Sequence, residues 1–348
     1  MEELLFITNS SESPWTISAI DISTGSPLAT YRNGICSENA FNLVNNEYLV
    51  GSNKNFMYIW RLHQEGPAQK IFFRNSINCF DITLDGKFLI ACLGEKISVF
   101  ELSTGSQICN LSAHYLPIKK IKLAQDDSFF VTVGSDSFAV LWTLKNTANE
   151  THQEYELCRL NGHSGAINDV FLSHGGLNCT IYTASSDHSC ILWNTKGSVL
   201  KKVVCQNALQ CVTVDCQTGV IYLGDAKGNI ILNKNDSTVS IKAASSEIRC
   251  LSLNIDTSVL ASASTDKTVK LWNSSRKETI DCIKVITLTG FATNLQFFMA
   301  PSGLGLKKSN LTLEPIPIAK SMQSSKENMN VLTKIINQSV SLTFRKAF

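Results

Sequence analysis

"YTASSDHSCILW", residues 182–193, holds a run of small and hydroxyl-bearing residues, an aspartate and, six positions on, a tryptophan. The same order stands in "VTVGSDSFAVLW" (residues 131–142) and in "LASASTDKTVKLW" (residues 260–272). "NFMYIWRL" puts Trp60 at the marker position, "KISVFELSTG" puts Phe100 there, "GNIILNK" Leu232 and "WTISAIDISTG" Ile20. Successive markers lie about 40 residues apart, which gives roughly seven units. One interval, between Trp142 and Trp193, is stretched by the polar insert "KNTANETHQEYE" (Lys145 to Glu156), expected to be a surface loop.

Each unit is built from strand-forming pieces. "KTVKLW", "SCILW" and "FAVLW" are short, rich in β-branched and aromatic residues, and follow turn clusters. No stretch before residue 320 combines sustained helical periodicity with caps. About four short strands per period of about 40 residues make an all-β chain, a seven-bladed β-propeller. The first unit offers only "LLFITN", "TISAIDI" and "SPLATYR", one strand short of four. The missing strand is expected in "FATNLQFFMAP" (Phe291 to Pro301), so that a C-terminal strand pairs with the N-terminal blade and closes the ring without an exposed edge. The propeller is thereby assigned to residues 1–303. Residues 304–348 form a short tail with a candidate helix, where Met329, Leu332, Ile335 and Ile336 recur at helical spacing behind Ser325 and Asn328 as caps. That tail reads either as a dock for a partner or second copy, or as a segment folded onto the propeller.

Composition narrows the function. A net charge of +2 and 17% charged residues argue against general binding of a phosphate backbone, so direct contact with RNA is expected to be weak or indirect. The start "MEELLFITNSSESPW" lacks the basic residues and long apolar run of a secretory signal, and no window approaches a membrane span. An intracellular protein without membrane contact is expected. The twelve cysteines sit singly in apolar runs with no Cys-x-x-Cys pair, which reads as free core thiols rather than a metal site. No cofactor, metal or catalytic residues are expected: a phosphate-cradling glycine loop and a nucleophile elbow are both missing.

The units resemble WD repeats. That family carries a Gly-His before the tryptophan, an aspartate in the turn ahead of it, and a hydroxyl four residues before the aspartate. "NGHSGAINDV" supplies Gly162 and His163, completed by Thr183, Asp187 and Trp193; "SAHYLPIKKI" supplies His114, with Thr132, Asp136 and Trp142; the last repeat keeps Ser262, Asp266 and Trp272 without a histidine. The resemblance implies a buried hydrogen-bond chain tying the strands of a blade together. Read alone, His163, Asp187 and a hydroxyl also spell a hydrolase triad, but the set recurs once per unit at fixed spacing, which is the mark of a structural element.

Several stretches narrow the resemblance. "TYRNG", "NEYL", "SAHY" and "TNLQFFMAP", in this order along residues 15–303, are similar to the WD repeat-containing protein 18 family, the propeller subunit of the Rix-type complex of large-ribosomal-subunit assembly. The resemblance implies a non-catalytic scaffold of the nucleus, in nucleolus and nucleoplasm with a cytoplasmic pool. The partners it implies are a helical-repeat subunit, pre-ribosomal particles and an AAA-type remodelling ATPase, with a role in removing the second internal transcribed spacer of the rRNA. The family's longer heptad helix, implicated in self-association, is shortened here to a brief helical stretch, which leaves a homodimer open. The alternative is a WD substrate receptor or adaptor of a ubiquitin ligase or other complex. The Trp-Asp-x-Arg such receptors use is absent, since Arg61-Leu62, Thr143-Leu144, Asn194-Thr195 and Asn273-Ser274 follow the tryptophans. The least repetitive segments, Lys145 to Glu156, Arg32 to Glu38 and Leu306 to Phe348, are the candidate partner loops.

Overall fold

The computed structural model describes residues 3–10, 15–44, 47–102, 106–112, 114–144, 156–234, 237–275 and 279–299. They form seven four-stranded antiparallel sheets. Blade 1 holds Ala292–Met299, Glu3–Asn9, Trp15–Asp21 and Pro27–Arg32, from the channel outward. Blades 2 to 7 follow in chain order, their inner strands being Phe41–Val44, Cys79–Ile82, Ile118–Leu123, Ile167–Leu172, Leu209–Asp215 and Ile248–Leu253. The molecule is a seven-bladed β-propeller, and the strand expected at the far end is the inner strand of blade 1. It pairs with Glu3–Asn9 from Glu3↔Met299 to Asn9↔Ala292. All seven marker residues fall in the third strand of their blade.

A strand in a stacked sheet must be apolar on both faces, because each face meets a neighbouring blade. Glu3–Asn9 shows why its run "LLFI" is uninterrupted. Leu4 and Phe6 join Leu49 and Trp60 of blade 2, whereas Leu5 and Ile7 join Ala261, Val269 and Leu271 of blade 7. The same arrangement recurs at every junction, so that seven apolar clusters fill the seven blade interfaces. Between blades 4 and 5, for example, Phe129, Val131 and Leu141 pack on Val170, Ile181 and Trp193.

"TYRNG" acquires a physical meaning at the junction of blades 1 and 2. The Tyr31 hydroxyl donates to Leu62 O at 3.0 Å, and Trp60 Nε1 donates to Arg32 O at 3.1 Å. Gly34 lies against the indole of Trp60 so closely that a Cβ would collide with the ring. Closure is completed by Asn294 on the inner strand of blade 1. Its Oδ1 accepts from Ala40 N at 3.2 Å, and its Nδ2 donates to Thr8 Oγ1 at 2.9 Å and to Ser37 O at 2.7 Å.

Some expectations differ from the structure or fall outside it. All twelve cysteines are free, but they are not uniformly core residues: six are buried, five are half-buried, and Cys282 is exposed. Cys282 lies on the outer strand of blade 7, Asp281–Thr287, one side of which faces solvent. The run Arg32 to Glu38 is engaged in ring closure, through Ser37 O and through an ion pair of Glu38 with Arg249, rather than projecting as a free loop. The insert, except for Glu156, and the segment 304–348 lie outside the described residues. No helix among the described residues is long and apolar enough to cross a membrane.

Candidate functional site: blade networks and the channel

In blade 5 the recurring set assembles around one imidazole. His163 Nδ1 lies 2.9 Å from Asp187 Oδ2, His163 Nε2 lies 2.7 Å from Thr183 Oγ1, and Trp193 Nε1 donates to Thr183 Oγ1 at 2.9 Å. A carboxylate only accepts, so Nδ1 carries the proton and Nε2 accepts from the threonine hydroxyl. Burial pushes the His163 imidazolium down, against the opposing pull of Asp187, which favours the charged ring. Burial would raise the Asp187 carboxyl, but hydrogen bonds from Ser189, the Ser164 N–H and His163 hold it below the usual carboxylate range. The side chain of His163 is fully enclosed and Thr183 is 0% exposed.

Blade 4 repeats this geometry. His114 Nδ1 is 3.0 Å from Asp136, His114 Nε2 is 2.9 Å from Thr132 Oγ1, and Trp142 Nε1 donates to that hydroxyl at 2.8 Å. In blade 7 the pieces separate. Trp272 Nε1 donates to Ser262 Oγ at 2.9 Å, but Asp266 instead binds the N–H and hydroxyl of Ser245 at 3.0 Å and those of Thr268. Ala244 occupies the place of the histidine, and no chain links Asp266 to Ser262 among the described residues. Those hydrogen bonds nevertheless hold the Asp266 carboxyl down against burial, which acts to raise it.

A second polar system, not anticipated from the repeat, runs along the inner strands. Asp81 in blade 3 accepts from Ile82 N at 3.0 Å, from Asn42 Nδ2 of blade 2 at 2.7 Å, and from Leu123 N of blade 4 at 3.0 Å. Asp169 in blade 5 does the same work two blades on. It accepts from Val170 N at 2.7 Å and from Val212 N of blade 6 at 2.9 Å, and it pairs with Lys120 of blade 4. Each carboxylate thus ties three successive blades. The available signal was an aspartate inside an apolar strand, in "CFDI" and "INDV".

The channel opens at the end where the inner strands begin into a cavity of about 860 Å³, whose lining includes Glu38, Asn78, Lys119, Asn168, Arg249 and Thr293. Arg249 pairs with Glu38 and Glu247, and Lys119 Nζ donates to Asn168 Oδ1 at 2.6 Å. Burial lowers the Lys119 ammonium, with Glu38 acting in the opposite direction. Three carboxylates (Glu38, Asp169, Glu247) balance three cations (Lys54, Lys119, Arg249) around this mouth, a lining that suits polar contact with another chain more than concentrated anion binding. No group of three or more His, Cys, Asp or Glu side chains among the described residues is placed to hold a metal ion.

The WD domain, G-beta repeat family model matches residues 154–194 and 235–273, which take in the outer strand of blade 4 with the first three strands of blade 5, and the outer strand of blade 6 with the first three strands of blade 7. The chain is 27% identical to WD repeat-containing protein 18 of Homo sapiens, over 86% of this chain and 73% of that protein. It is 28% identical to the Danio rerio protein of that name, over 90% of this chain and 77% of that protein. It is 25% identical to pre-rRNA-processing protein pro-1 of Caenorhabditis briggsae, over 85% of this chain and 60% of that protein. The resemblance read from "TYRNG", "SAHY" and "TNLQFFMAP" is therefore borne out along most of the chain.

Proposed function

We propose that this chain is a non-catalytic scaffold of ribosome assembly, a propeller subunit of a nuclear complex that acts on precursors of the large ribosomal subunit and on the internal transcribed spacer of their rRNA. The observation that carries the reading is the similarity to WD repeat-containing protein 18 and to a pre-rRNA-processing protein over 85–86% of the chain rather than over isolated repeats. The helical-repeat subunit, the pre-ribosomal particle and the AAA-type ATPase are its proposed partners, with the nucleus as its place.

The chemistry of the blades supports a scaffold. The groups that could mimic a hydrolase triad have their hydrogen bonds filled within the blade, and Thr132 and Thr183, at 0% exposure, cannot meet a substrate. We assign His114, Thr132, Asp136 and Trp142, and His163, Thr183, Asp187 and Trp193, to holding strands together, with Ser262, Asp266 and Trp272 as a reduced version. Residues 1–299 carry 24 basic and 27 acidic residues, a net of −3, which supports reaching RNA through partners rather than directly. The test is depletion of the protein from its own cells, with hybridisation probes against the second internal transcribed spacer. Accumulation of spacer-containing precursors is expected; an unchanged precursor profile overturns the reading.

A further inference from the structure

All inner strands run the same way along the channel, so the turns that follow them emerge together on the face opposite the 860 Å³ mouth. Cross-blade contacts join these turns. Leu84 N of blade 3 donates to Asp127 Oδ2 of blade 4 at 2.8 Å, His174 Nδ1 of blade 5 lies 2.6 Å from Gln125 Oε1 of blade 4, and Ile255 N of blade 7 donates to Glu3 Oε1 of blade 1 at 3.2 Å. Among the described residues, the turns and the adjoining Glu3 carry six carboxylates: Glu3, Glu47, Asp85, Asp126, Asp127 and Asp256. Their single lysine, Lys87, is already paired with Asp85 at 2.9 Å.

Three large apolar side chains stand among these acids. Leu84 is 70% exposed, Ile255 55% and Leu177 51%. Burial pushes the Asp127 carboxyl up, the Leu84 N–H opposes it and the neighbouring Asp85 and Asp81 add to it, while its buried Oδ1 finds no hydrogen-bond partner among the described residues. A nucleic acid is repelled by such a surface. It suits a cationic segment with interleaved aliphatic residues.

The chain itself carries one. Residues 304–348 contain seven basic and two acidic residues, a net of +5 against −3 for residues 1–299, with Leu304, Leu306, Leu311, Leu313, Ile316 and Ile318 close to Lys307 and Lys308. The last described strand delivers the chain to this face, since Met299 is the register partner of Glu3, whose carboxylate holds the Ile255 turn. From there eight residues, as far as Lys307, span up to about 28 Å. A tethered segment acts at an effective concentration in the millimolar range, so weak contacts suffice.

We propose that the acidic turn face is the docking surface for the basic segment 304–348 of its own chain, with lysines set against the carboxylates and aliphatic side chains on Leu84 and Ile255.

The test uses the full chain and carbodiimide, which joins lysines to carboxylates in contact, with the products mapped by mass spectrometry. Cross-links from Lys307, Lys308 and Lys320 to Glu47, Asp85, Asp126 or Asp256 are expected. Their yield should fall about threefold or more in about 1 M salt, where the screening length is about 3 Å. E47K with D256K should lower it similarly, neither side chain having a hydrogen-bond partner among the described residues, and a thermal melt reports whether that variant is folded. K307E with K308E reads the same contact with the propeller untouched. Cross-links to Glu95 or Glu247 instead, yields indifferent to salt and charge reversal, or no cross-links at all overturn the proposal. So does linkage found only between isotopically labelled and unlabelled copies, which assigns the face to a second molecule.

Discussion

Asp187→Ala probes the blade 5 network most sharply. The aspartate receives His163 Nδ1 at 2.9 Å, Ser164 N at 2.9 Å, Ser189 N at 3.0 Å and Ser189 Oγ at 2.6 Å. Ser164 is exposed and water can replace its lost partner, whereas His163 and Ser189 are 6% and 1% exposed. Three buried donors lose their acceptor, His163 Nδ1–H and the Ser189 N–H and hydroxyl; Ser189 Oγ, 3.3 Å from His163 Nδ1, can accept from the ring, which leaves two unmet at about 1–3 kcal/mol each, about 2–6 kcal/mol together. For a propeller of about 300 residues, with an unfolding entropy near 2 cal/mol/K per residue, that lowers Tm by roughly 3–10 °C. The control is Asp266→Ala. Asp266 binds the exposed Ser245 and the turn residue Thr268 but no histidine, so its loss should cost well under half as much. Differential scanning calorimetry of both variants, with His163→Ala and the His163–Asp187 double variant, closes a cycle in which the two blade 5 changes are strongly non-additive. Equal losses for Asp187→Ala and Asp266→Ala, or additive effects at 163 and 187, refute the claim that the imidazole chain carries the energy.

Other outcomes follow from the same geometry. Thr183→Val strands the Trp193 N–H in a dry site and should cost about 1–3 kcal/mol, read from urea midpoints, with no loss in Ser262→Thr. Asp169→Ala leaves Lys120 without its carboxylate and Val212 N without an acceptor; a loss of about 3–5 kcal/mol is expected, with hydrogen exchange rising at the inner strands of blades 4 to 6 together. In the pH dependence, His163 has a folded value below its ordinary 6.5, so the unfolded chain takes up the proton first and stability falls as pH drops below about 6.5. Asp187, depressed in the fold, adds stability that is present above pH 3.8 and is lost as pH falls further. Melting curves from pH 8 to 5 should show the first decline, and His163→Gln should flatten it.

The fold was legible in the sequence because its determinants are local. Turn, strand and tryptophan recur within a dozen residues, and the count of three strands in the first unit demanded a fourth from elsewhere. The within-blade sets were legible for the same reason, since His163 and Thr183 are only 20 positions apart. The channel system was not. Asp81 reaches Leu123 N across 42 positions and Asn294 reaches Ala40 N across 254, so neither pairing leaves a pattern in any short window. Arg32 to Glu38 looked like a partner loop because it breaks the repeat; it breaks the repeat because it must meet Asn294 and Arg249 where the ring closes.

The central claim is that the propeller serves as a scaffold in large-subunit assembly. Gentle affinity purification of the tagged, full chain from its own cells, with co-purifying proteins and RNA identified, tests it most directly. The account predicts recovery of large-subunit precursor rRNA, a helical-repeat protein and an AAA-type ATPase together, with the RNA lost when the helical-repeat protein is depleted. Recovery of a cullin adaptor or another complex, without ribosomal precursors, contradicts it.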